Sequence, residues 1–138
     1  MPAYLGVGAT PEAALWDSAT GSTNISDEVL FDLREAAGLV GASFRYLRQL
    51  ALSLDEDNVS FEPAEIPSVV EEVDRLLSSE VAARADIAPS FRDELVRFRE
   101  LLNEASQGGL CVTAHVEHHI HPADILTNKR DRLSKASP

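Results

Sequence analysis

Cysteine is almost missing from this chain of 138 residues: Cys111 stands alone, so an internal disulfide is excluded and a reducing compartment is the expectation. Aromatic residues make up only 6%, with one tryptophan, Trp16, and they do not interleave with bases. The basic and aromatic patch of a nucleic-acid binder is therefore lacking. No stretch approaches the roughly 20 apolar residues of a membrane span. The start, MPAYLGVG, has no basic run followed by an apolar one and so does not read as a secretory signal. Gly6-Val7-Gly8 lacks the third glycine of a dinucleotide loop, and neither a Walker sequence nor a G-x-S-x-G elbow occurs. These absences point to a soluble, cytoplasmic protein without nucleic-acid or membrane partners. No familiar catalytic machinery is visible, and the reading leans away from an enzyme.

What is abundant is acid. There are 23 Asp and Glu against 12 Lys and Arg, a net charge of −11. The last dozen residues oppose this trend, with Lys129, Arg130, Arg132 and Lys135 against Asp131. Residues 1–126 carry 22 acids and 8 bases, a net charge of −14, and read as one globular domain. Residues 127–138 read as a basic, frayed tail. A body this acidic repels nucleic acid and is steered toward a basic partner.

Periodicity supplies the elements. Residues 1–9 suit a short strand and residues 10–25 look turn-rich. Ser26 is an N-cap, with Asp27 and Glu28 in the first turn that follows. From there Leu30, Leu33, Ala37, Val40, Phe44, Leu47, Ala51 and Leu54 form an apolar seam of seven turns, which predicts one long helix. Gly38 and Gly41 interrupt its propensity at about 1 kcal/mol each, so either a close neighbour or a kink is expected there. A second helix starts near Pro67 on the face Ile66, Val69, Val70, Val73, Leu76 and Leu77, with Glu71, Glu72, Asp74 and Arg75 toward water. A third starts at Ser90 in capping-box style and stops at Gly108-Gly109. The fold expected is α+β: three helices on a small, mainly antiparallel sheet formed by the N- and C-terminal strands. A helical bundle with a marginal final strand is the alternative, and the long seam would also suit a homodimer interface.

Two places could carry chemistry. All four histidines fall in the run CVTAHVEHHIH, residues 111–121. As a strand, this run puts Cys111, Thr113, His115, Glu117, His119 and His121 on one face and Leu110, Val112, Ala114, Val116, His118 and Ile120 on the other. His115, Glu117, His119 and His121 are then candidate ligands for a divalent transition metal such as zinc, nickel, copper or iron. Cys111 and His115 lie about 13 Å apart along such a strand, too far for a thiolate–imidazole pair. The second place is the acidic stretch 55–65. It is not an EF-hand, because Ser60 replaces the turn glycine and Ile66 the final glutamate. Asp55, Glu56, Asp57 and Glu62 are instead candidates to meet a basic protein. The reading preferred is a small acidic, non-catalytic binding or regulatory protein, an inhibitor or immunity-like module needing no cofactor. A metal-binding protein or metal-dependent enzyme built on the histidine strand is the alternative.

Overall fold

The computed structural model describes residues 3–19, 23–40, 44–51 and 58–116; for 36–40 and 116 it describes the backbone alone. Among them are strands β1 (Ala3–Gly8), β2 (Asn24–Ile25), β3 (Asn58–Phe61) and β4 (Cys111–Val116). The helices are α1 (Pro11–Ser18), α2 (Asp27–Val40), α3 (Arg45–Ala51), α4 (Ile66–Leu77) and α5 (Phe91–Gly108). The sheet is antiparallel throughout, in the order β2-β1-β4-β3. The α+β class expected from sequence is what forms, with five helices rather than three.

One extra helix is α1, in the segment that composition alone reads as turns. Its start is encoded: the Thr10 hydroxyl accepts from the Ala13 amide at 3.1 Å, Pro11 opens the first turn and Glu12 follows. Its packing face is small rather than apolar. Ala14 and Ser18 are buried against Gly6 and Gly8 of β1. A Cβ on Gly6 would overlap the Ala14 carbonyl and the Ser18 amide, and one on Gly8 would lie 2.6 Å from the Ala14 nitrogen. The two glycines let helix backbone rest on strand backbone. Asp17 ties the layers together by accepting from the Val7 amide at 2.9 Å, while Trp16 points outward, 72% exposed.

The other additional helix comes from the long seam. It is carried by α2 and α3, which pack against one another rather than forming a single rod. Leu30, Leu33, Phe44, Leu47 and Ala51 of that seam are buried, so its periodicity is correct although its continuity is not. These residues meet Ile66, Val69, Val73 and Leu76 of α4 and Phe91, Leu95, Phe98 and Leu102 of α5 in one core. That core covers the sheet face made by Ala3, Leu5, Phe61, Val112 and Ala114. Each fully buried Phe or Leu contributes about 1.5–3 kcal/mol to folding. The sheet is thus a middle layer, with α1 on one side and α2 to α5 on the other. No helix among the described residues is long and apolar enough to cross a membrane.

Candidate functional site

The histidine strand obeys its alternation as far as it is described. Val112 and Ala114 face the large core; Cys111, Thr113 and His115 face the other way. That second face is covered by α1 at its first two positions. Thr113 is fully buried, its hydroxyl donating to the Pro11 carbonyl at 3.3 Å and meeting Ser60 Oγ at 2.8 Å. Cys111 lies against the Ala9 carbonyl, 3.9 Å from Sγ. His115 is half-buried, in register between Tyr4 of β1 and Asn58 of β3. The other candidate ligands, Glu117, His119 and His121, lie outside the described residues. Among the described residues no group of three His, Cys, Asp or Glu is placed to hold a metal ion.

The setting of Cys111 favours its thiol over its thiolate. Burial pushes its pKa up, and the nearby charge of Glu62 adds to the shift, so the thiol form dominates at neutral pH. Glu62 is the described member of the acidic set at 55–62; Asp55, Glu56 and Asp57 fall outside the described residues. It is exposed, and its amide donates to Glu65 Oε1 at 2.9 Å.

Two of the acids, Glu72 and Glu94, are buried and used inside the fold. Glu72, placed toward water by the helical pattern, is buried instead: Oε1 accepts from the Tyr46 and Leu47 amides at 2.9 and 3.0 Å. A carboxylate from α4 thereby caps the start of α3, where unpaired N–H groups and the helix dipole favour a negative charge. Glu94 plays the same part between α5 and α2. Its Oε1 accepts from the Ser26 amide at 2.7 Å and its Oε2 from the Ser90 hydroxyl at 2.7 Å. Ser26 in turn caps α2, accepting from the Val29 amide at 3.3 Å.

Four other acids meet at α2. Asp27, Glu28, Phe31 and Asp32 line an open groove of about 610 Å³ with Asp86 and Ala88 from the turn before α5. Four of its described lining residues are carboxylates. Phe31 is 54% exposed, whereas its neighbours Leu30 and Leu33 are buried. The far wall is pinned because Asp32 Oδ2 accepts from the Ala88 amide at 2.8 Å. Arg84 reaches Asp86 with two contacts, at 3.0 and 2.6 Å, and their hydrogen bond holds the Asp86 carboxyl below its ordinary value. An aromatic face ringed by carboxylates suits a guanidinium or ammonium group on an apolar stem.

A second groove, beside Pro67, Val70, Glu71, Asp74, Arg75 and Ser78, measures about 500 Å³. There too acids have bases: Arg75 pairs with Glu71 at 2.9 Å and Arg99 with Asp74 at 2.6 Å. The α2 groove was open to discovery from sequence, since Phe31 is a large apolar residue that falls off the seam. Asp27 and Glu28, explained by the helix dipole alone, drew attention away from it. Asp86 and Ala88 give no local signal, because only the fold brings them to α2. Compared with family models, curated proteins and solved structures, this chain matches none.

Proposed function

We propose that this protein is a small, non-catalytic binding module that receives a basic segment of a partner protein in the α2 groove. The observation that carries the reading is Phe31, half out in solvent between Asp27, Glu28, Asp32 and Asp86. The acid-to-base pairing is the one composition suggests, here seated on α2. A net charge of −11 steers such a partner in and keeps nucleic acid and anionic membrane away. A regulatory or inhibitory role follows from a module that engages a basic surface without transforming it. The lone buried thiol of Cys111 suits a reducing, cytoplasmic setting.

The test is titration with a synthetic Arg-Leu repeat peptide, followed by fluorescence anisotropy at low and high salt. Affinity is expected to fall with salt and to be lost in Phe31→Ala and Glu28→Lys. Glu104→Lys, on the exposed side of α5, removes the same charge elsewhere and is expected to leave most of the binding. Equal loss in all three variants would show a general charge effect and defeat the assignment.

A further inference from the structure

We propose that the outer edge of β3 receives an extended, basic segment of a partner protein as an added strand. This surface is separate from the α2 groove, and the inference stands without it. The backbone directions follow from the other side of the sheet. The Val7 amide donates to Asp17 and the Leu5 amide to the Thr23 carbonyl, so both residues turn their backbone groups away from β4. They pair with Val112 and Ala114, which in an antiparallel ladder then point their own groups toward β3. There they meet Phe61 and Val59. Asn58 and Ser60, the alternate residues, turn amide and carbonyl outward, and no described residue pairs with that edge. Four backbone groups are thereby presented in strand geometry, which is a template for strand addition.

The two sides of the sheet differ. Asp17 and Thr23 close the β1 side, whereas β3 holds neither Pro nor Lys, the usual guards of an open edge. The side chains indicate what fits. Val59 is half-buried beside the core and shares its sheet face with Phe61, which Tyr46 meets edge-on at 6.1 Å. An apolar residue opposite Val59 extends that contact, and Arg45, 5.2 Å over the Tyr46 ring, disfavours a base on this face. On the other face Asn58 is exposed and Ser60 half-buried, which suits polar residues. Charge selects the occupant. Exposed Glu62 follows the strand, Asp57 directly precedes it in sequence, and the chain stands at −11. A second copy laid on β3 would bring acid against acid, while a segment with a base at each end is attracted.

The probe is the peptide Lys-Val-Thr-Val-Thr-Lys, whose threonines stand opposite Ser60 and Asn58 in antiparallel register, together with a copy N-methylated at both threonines. Binding to the full chain is followed by amide NMR and hydrogen exchange at low and high salt. Expected are shifts and slowed exchange at Asn58 and Ser60, weaker binding in salt, and about tenfold weaker binding of the N-methylated copy. Asn58→Pro removes one outward amide and spares the ladder to β4, so it should weaken binding about tenfold; Asn58→Ala, which keeps that amide, should not. Equal binding of the two peptides to the unaltered chain would overturn the inference, even if Asn58→Pro failed to fold. So would absence of binding, or shifts confined to the α2 groove. Slowed exchange at Asn58 and Ser60 that grows with protein concentration, without peptide, would make a second copy the occupant and overturn it as well.

Discussion

Replacing Gly6 by alanine tests the packing of α1 most directly. The new methyl would meet the Ala14 carbonyl oxygen, the Ser18 nitrogen and the Ser18 Cα, all backbone atoms of α1. None of these is the end of a flexible side chain, so relief requires the helix to move away by roughly 1 Å to reach ordinary contact. Such a shift strains the Asp17 carboxylate on the Val7 amide and the Thr113 hydroxyl on the Pro11 carbonyl. Overpacking of this kind costs about 1–3 kcal/mol, and losing those hydrogen bonds adds about 1 kcal/mol. Removing a glycine from a strand returns about 0.5–1 kcal/mol. The expected result is a net loss of about 2–3 kcal/mol, or a Tm lower by roughly 8–12 °C for a chain of this size. Urea and thermal unfolding followed by circular dichroism read it. Because the clash is with backbone, adding Ala14→Gly should rescue nothing. A neutral or stabilised Gly6→Ala protein, or rescue by Ala14→Gly, would refute the account of α1 lying directly on β1.

Three further outcomes are expected. Glu72→Ala should lose about 1.5–3 kcal/mol in urea unfolding, with faster hydrogen exchange at the Tyr46 and Leu47 amides whose shared acceptor is gone; slow exchange there would speak against the cap. Asp86 has a folded pKa below its unfolded one, so its contribution is present above about pH 4 and fades as pH falls through the depressed value. The urea midpoints of wild type and Asp86→Asn should accordingly differ slightly at neutral pH and converge in acid. Cys111, buried and raised in pKa, should react with a thiol reagent only as fast as the sheet opens, and at once in denaturant.

The parts of this fold that were legible in the sequence are those where apolar contrast is strong. Ile66, Val69, Val73 and Leu76 mark α4 by spacing alone, Gly109 ends α5 with φ at 65°, and Val112 and Ala114 alternate with Cys111 and Thr113. α1 was not legible because its contact is Ala and Ser on Gly, which carries no apolar period to read. Glu72 reads as a solvent-facing residue, since a helical wheel contains no information about which neighbouring helix begins beside it. The site followed the same division. Asp27, Glu28, Phe31 and Asp32 are local to one helix; their meeting with Asp86 depends on the Asp32–Ala88 hydrogen bond, a contact between residues 56 apart.

The strand order has a consequence in time. β1 lies in the middle of the sheet, yet the partner that completes it, β4, pairs Gly8 with Cys111, more than 100 residues further on. During synthesis β1 can gain α1 and β2 early, both close by in sequence, and must then wait with one edge open until nearly all of the described chain has emerged. Closing so distant a pair carries a large entropic barrier, and such topologies fold on the slow side for their size. Over that interval the glycines of β1 do a second job. Gly6 and Gly8 keep the waiting strand poor in side chains that could pair wrongly, so the residues that admit α1 also make β1 a weak template for aggregation.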